Sequence, residues 1–380
     1  MGKFLLAFSC AGLAAAQSYT LQPNFGSGLP SGASQVTAVA LISPADPTQP
    51  AELHVAQRGA SEPPFIVLDA GSGAFIRSYG KFGVTLKSPH GIASTLNRTA
   101  LWVADIVNGT VLKLDPATGG VLELIGSKGV GTDPPQFSSP ADLAEGPGGA
   151  LWVSDGDGGD ANRVLRLSAA APPSTPPAYV LGCGHNGSAP GCFSSPHSVA
   201  FAGALGHVWV ADRGNNRLQA FAGDTGKLLG EWAAADGCFV PPGVAPGGQQ
   251  PWSVRVDSRR RVMFVADGGP AGNPAGGEPG AVYVLRLGAG PGWSRTSIGS
   301  CKGQLLQTLT VPNQATAKRK SLRRTHTHTT HTNTRFYKRP YPHPPNPTEA
   351  HELAVNEDTG DLFLADIGTP PAVTKWVIAP

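Results

Sequence analysis

The sequence predicts an all-β fold, a six-bladed β-propeller, and three observations carry that reading. Glycine (50) and proline (36) are abundant in 380 residues while charged residues make up only 14%, a mixture that suits short strands joined by tight turns. A short apolar strand ending in Ala-Asp or Ser-Asp recurs as LWVAD, LWVSD, VWVAD, MFVAD and LFLAD, closing on Asp105, Asp155, Asp212, Asp267 and Asp366. Each of these is preceded by one short strand and followed by at least one more. Four strands per unit cannot bury both faces alone, but six such sheets packed radially about an axis can.

The copies follow in order. The first is degenerate: TAVAL, LHVAQ, FIVLD and FIRSYG, with Gln57 in the place of the marker aspartate. Copies two to six open with HGIA, ADLA, HSVA, WSVR and HELA. Third strands such as TVLKLD, RVLRLS, RLQAFA and AVYVLRL follow the marker, and VLELIG and KLLGEW end two of the units. The marker aspartates are expected to be structural, accepting backbone hydrogen bonds at a turn. Their spacing is regular except between Asp267 and Asp366, where residues 315–345 intervene. That Thr/His/Pro/Arg-rich segment has no strand pattern and reads as a disordered insertion, with translated intron or a gene-model artefact as its origin. Its His326, His328 and His331 compete as metal ligands only as part of a floppy polar tract.

Residues 1–16 read as a signal peptide: Lys3, an apolar stretch over 4–13, and Ala14, Ala15 and Ala16 before Gln17. Residues 17–35 form a lead-in, and 36–380 the propeller. No later segment has transmembrane length, so a secreted or secretory-lumen protein without a membrane anchor is expected. Loss of the signal removes Cys10 and leaves Cys183, Cys192, Cys238 and Cys301, enough for two disulfides in three possible pairings, with Cys183 and Cys192 close enough to close one loop. Asn97, Asn108 and Asn186 begin glycosylation sequons. The insertion holds eight of the Lys and Arg residues and no Asp or Glu, which leaves the remainder net acidic and argues against a nucleic-acid partner.

Aligning the first strands places Thr37, His90, Ala141, His197, Trp252 and His351 in one register. Histidine falls in copies two, four and six, and alternate blades of a six-bladed ring stand about 120° apart. Three imidazoles would then converge on the axis with positions left open, the pattern of a catalytic zinc site. The rival reading is three unrelated histidines at a tolerant strand start; the alternation weakens it, since His54, His185 and His207 share no such register. After the marker, copies one and four carry Arg58 and Arg213, which face each other across a six-fold ring and can clamp a carboxylate; surface arginines or strand-edge salt bridges are the alternative.

LKSPHGIA…LWVADIVNGTVLKLD, FSSPHSVAF…VWVADRGNNRLQAF and AHELAV…LFLADI resemble the NHL-repeat propeller of the peptidyl-α-hydroxyglycine α-amidating lyases, over residues 36–378 without the insertion. The resemblance implies zinc on His90, His197 and His351, and active-site roles for Arg58 and Arg213. It also implies a structural calcium at Val39, Ile92 and Glu352, although the family has Asp where this chain has Glu352. The family's catalytic tyrosine follows Ser-Asp-Gly of the third blade, where this chain has Asp157, a candidate base or simply part of a polar turn. The family's disulfide positions do not match cleanly. The implied substrate is a peptide ending in α-hydroxyglycine, made by a separate copper monooxygenase and cleaved to peptide amide and glyoxylate. Two other readings stand beside it: a non-catalytic secreted NHL scaffold, and another metal-dependent propeller hydrolase.

Overall fold

The computed structural model describes residues 18–43, 48–80, 83–168, 171–240, 248–268, 280–288, 293–294, 297–302, 304–312, 350–368 and 370–379. The proposed signal peptide and the 315–345 insertion lie outside them. The described residues form six four-stranded antiparallel blades in a ring. Blade 1 follows a short N-terminal strand, β1 (Tyr19–Leu21), and comprises β2 (Val36–Ile42), β3 (Glu52–Gln57), β4 (Phe65–Asp69) and β5 (Phe75–Tyr79). Blade 2 is β6 (Pro89–Ser94), β7 (Leu101–Asp105), β8 (Thr110–Leu114) and β9 (Val121–Ile125). Blade 3 is β10 (Pro140–Gly146), β11 (Ala150–Asp155), β12 (Arg163–Ser168) and β13 (Tyr179–Leu181). Blade 4 is β14 (Pro196–Ala202), β15 (His207–Asp212), β16 (Arg217–Ala222) and β17 (Leu228–Ala233). Blade 5 is β18 (Pro251–Asp257), β19 (Val262–Asp267), β20 (Ala281–Arg286) and β21 (Leu305–Thr310). Blade 6 is β22 (Ala350–Val355), β23 (Leu362–Asp366) and β24 (Ala372–Ile378), completed on its outer edge by β1. The lead-in therefore closes the ring, with Tyr19, Thr20 and Leu21 opposite Ile378, Val377 and Trp376.

The pentapeptide explains how blades adhere. Its second residue is Trp102, Trp152, Trp209, Phe264 or Phe363, each buried, and each packs with the following blade. Trp102, for example, joins Leu143, Leu151 and Val153. Copy one places His54 in this register, where Glu52 Oε2 and Tyr79 Oη satisfy its two ring nitrogens at 3.0 and 2.9 Å. It is a core histidine, not a ligand.

In blades 2 to 5 the marker aspartates fasten the turn that leads into the innermost strand. Asp105 accepts the Lys87 and Ser88 amides, Asp155 that of Ser139, Asp212 that of Ser194 and Asp267 that of Gln250. Gln57 in the degenerate copy does the same work with its amide, accepting from the Ser34 amide at 3.2 Å. Disulfides Cys183–Cys192 and Cys238–Cys301 close the turn before β14 and join the end of blade 4 to blade 5. Among the described residues no helix is long and apolar enough to cross a membrane.

Asp212 is fully buried and also accepts from Arg217 Nε at 2.8 Å and Asn215 Nδ2 at 2.8 Å. Asp212→Ala removes the buried carboxylate of that pair and the acceptor of the Ser194 amide, leaving Arg217 with Glu231, so chemical denaturation should show a loss of about 3 kcal/mol. Asp358→Ala, which removes an exposed carboxylate paired with Arg98 and Arg259, should cost less than about 1 kcal/mol.

Candidate metal centre

In every blade the innermost strand slips its register at the same place. Ladder partners run Pro196↔Asp212 and then Ser198↔Ala211, which leaves His197 out of the pairing. The same slip isolates Thr37, Ala141, Trp252 and His351, and a wider one spans His90 and Gly91. A bulged residue is freed from the strict in-out alternation of a strand, so its side chain can be re-aimed. In blades 2, 4 and 6 the bulge turns an imidazole onto the axis. Ring centroids are 4.9 Å (His90–His197), 4.8 Å (His90–His351) and 5.0 Å (His197–His351) apart. One ligand atom from each lies within 4.8 Å of the others, and all three residues are buried.

The three remaining bulges supply backbone. His90 Nδ1 lies 2.8 Å from the Ala141 carbonyl, His197 Nδ1 2.6 Å from that of Trp252, and His351 Nδ1 2.5 Å from that of Thr37. A carbonyl only accepts, so each Nδ1 carries a hydrogen, and in its neutral form each ring keeps its lone pair on Nε2. Burial pushes His197 and His351 well below the usual histidine range, aided at His197 by the charge of Arg213 and at His351 by the other two imidazoles. His197 Nε2 is buried without a hydrogen-bond partner. Three converging lone pairs, each oriented by an outer carbonyl, fit a divalent transition metal such as zinc. Gly91 permits the packing: a Cβ there would meet the Ala141 oxygen at 2.4 Å.

Both sequence-predicted arginines border this centre. Arg213 lies over the Trp252 ring, 4.8 Å from its centroid, and donates from Nη2 to Asp157 Oδ1 at 2.6 Å. Arg58 donates through Nε to the Pro89 carbonyl, beside His90, at 3.2 Å. Asp157 Oδ2 stands 3.1 Å from His90 Nε2 and 4.0 Å from His197 Nε2. Burial alone would raise the Asp157 pKa, but Arg213 and His90 outweigh it and hold the carboxyl well below the usual range. Trp252, whose ring packs 5.3 Å from His197 and 5.4 Å from His351, was in the aligned register but gave no sequence signal of this role.

In blades 3 to 6 the next residue along the strand, Asp142, Ser198, Ser253 or Glu352, forms a second, polar layer. Ser198 Oγ donates to Asp142 Oδ2 at 2.6 Å, and Ser253 Oγ to Glu352 Oε2 at 2.7 Å. Arg255 spans the layer, bidentate to Asp142 at 2.7 and 2.9 Å and 3.3 Å from Glu352 Oε2. This arrangement does not fit the expected calcium. Val39 and Ile92 do line the channel with Arg255, around a cavity of about 180 Å³, but the guanidinium already supplies the cation beside Glu352. Burial and the Asp142 charge also push the Glu352 carboxyl well above its usual range. Sequence reasoning missed this cluster because Arg255 and Asp142 each look like an ordinary strand charge.

Of the sequons, Asn97 and Asn186 are exposed, whereas Asn108 spends its side-chain amide on the Thr85 carbonyl and Asp105, both at 2.8 Å. Two outcomes follow from the axial layers. Purified His197→Ala should drop from near-stoichiometric metal to trace amounts by elemental analysis. Arg255→Met should lose about 3 kcal/mol in denaturation, while added calcium leaves the melting temperature of the unaltered protein unchanged.

Comparison with known proteins agrees with the repeat architecture. The NHL repeat model matches residues 193–221, which hold His197 and Arg213. The chain is 36% identical over 224 residues to the NHL repeat-containing protein 3 of Mus musculus, covering 56% of this chain and 58% of that protein. It is 36% identical over 183 residues to the peptidylglycine alpha-amidating monooxygenase of Rattus norvegicus, covering 46% of this chain but 18% of that protein. The chain thus spans little more than half the length of the first of these relatives. A gluconolactonase of Xanthomonas campestris superposes with a TM-score of 0.53 at 15% identity, covering 91% of this chain and 87% of its own, a likeness of fold alone. The chain is a six-bladed β-propeller that carries an NHL repeat in its fourth blade.

Proposed function

We propose that the chain is a zinc-dependent lyase that cleaves peptidyl-α-hydroxyglycine to a peptide amide and glyoxylate. The observation that carries the reading is the trio of converging, buried imidazoles bordered by two arginines. Partial similarity to an amidating monooxygenase supports the substrate class. In the reaction the bond between the amide nitrogen and the carbinol carbon breaks, the carbinol becomes an aldehyde, and the hydroxyl's proton is made up at the departing nitrogen.

Zinc, when bound, would supply Lewis acidity at the substrate hydroxyl. The protein's own groups do the rest. Arg213, held over the Trp252 ring, presents a planar two-donor fork suited to the substrate's terminal carboxylate. Arg58, fixed through Nε, offers its terminal nitrogens from the blade opposite and stabilises negative charge as it develops. Asp157 is ill matched to general acid or base work at neutral pH, because it is held so firmly as an anion. The proton therefore travels through solvent in this reading.

Two disulfides fit an oxidising compartment, so the enzyme would act in the secretory lumen or outside the cell on substrate delivered by a separate copper monooxygenase. One observation favours a second reading, a metal-holding NHL scaffold without catalysis: Asp157 stands where the resembled lyases carry a tyrosine. Incubation of zinc-loaded protein with a hydroxyglycine-extended peptide separates them. The lyase reading expects glyoxylate and peptide amide in equal amounts, none from His197→Ala, and a fall on the order of 100-fold for Arg213→Ala. Metal-replete protein that releases no glyoxylate is a scaffold.

A further inference from the structure

We propose that Asp157 is a fourth protein ligand to the axial metal, so that the resting centre is a closed three-histidine, one-carboxylate site. The inference rests on the metal reading above and deepens it. Asp157 follows β11 of blade 3, whose own axial residue, Ala141, brings no ring. Its Oδ2 faces His90 Nε2 at 3.1 Å and His197 Nε2 at 4.0 Å. The hydrogens of both rings are committed on Nδ1 to the Ala141 and Trp252 carbonyls. In the neutral tautomer that these bonds favour, the Nε2 lone pairs of both rings point toward the Asp157 oxygen, so nitrogen and carboxylate donors converge on one place where a cation can sit among them.

Donor atoms about 2.0 Å from a tetrahedral ion stand about 3.3 Å apart, close to the His90–Asp157 separation. The other carboxylate oxygen is held by Arg213 at 2.6 Å, the kind of outer hydrogen bond that orients a ligating carboxylate. The Asp157 side chain is 19% exposed, so an incoming group can reach it from solvent. A closed four-coordinate site has no vacancy for substrate. Arg213 supplies the means to open it: a substrate carboxylate taking that guanidinium competes directly with Asp157 for its outer support. Arg213 is then the residue through which binding and metal access are linked.

Cobalt(II), whose visible absorption is intense when four-coordinate and weak when six-coordinate, tests this on the full chain without any turnover. Unaltered protein should show the intense four-coordinate spectrum. Asp157→Ala and the closer isostere Asp157→Asn, each checked by melting curve, should bind cobalt on the order of 100-fold more weakly and shift toward higher coordination as water enters. Asp157→Glu should recover much of the affinity. If folded Asp157→Ala keeps the spectrum and affinity of the unaltered protein, the fourth-ligand inference is overturned and the three-histidine site stands. If unaltered protein binds no cobalt, both fall together.

Discussion

The centre depends on a hydrogen bond made three times, from the Nδ1 of an axial histidine to the backbone carbonyl of the bulged residue in the next blade. Each such bond ties an even blade to the odd blade that follows it. Each also decides the tautomer, and with it which nitrogen is left to act. The third, His351 to Thr37, crosses the seam between the last blade and the first. It forms only if the ring closes, and closure rests on β1 pairing with β24. A three-residue strand at the chain's beginning thus holds one vertex of a site more than three hundred residues away.

Beneath the imidazoles the channel solves a different problem. Asp142 and Glu352 are both fully buried, and two such carboxyls in one layer repel and resist desolvation. Arg255 answers with a bidentate pair to Asp142 and a longer contact to Glu352, while Ser198 and Ser253 pass hydrogen bonds around the ring. A nearly fully bonded buried network rigidifies its surroundings, and here the surroundings are the strands that aim the histidines. The chain thereby builds into its own side chains a cation that a bound ion would otherwise supply.

The two layers differ in what they leave open. The lower one matches its charges with Arg255 and leaves Glu352 Oε1 without a hydrogen-bond partner. The upper one holds a nitrogen, His197 Nε2, with no partner, beside an aspartate whose other oxygen is held by Arg213. Ligand atoms converging on the axis mark a functional centre more clearly than the fold does, since propellers of this kind serve many ends.

The repeat and its sixfold count were legible in the sequence, because burial between blades demands an apolar strand in each copy, with an aromatic and a marker aspartate in five of the six. The alternation of His90, His197 and His351 was legible for the same reason: equivalent positions in a symmetric ring must occupy equivalent places. Only the tertiary structure decided what each position does. The bulge that turns an imidazole inward is a local change of register with no composition of its own. The carbonyls of Thr37, Ala141 and Trp252 carry no side-chain signature, so backbone partners are invisible to residue identity. Cys238 meets Cys301, and Arg255 meets Asp142 and Glu352, across long stretches of chain. Such meetings are set by the closing of the ring, and closure is a property of the whole fold.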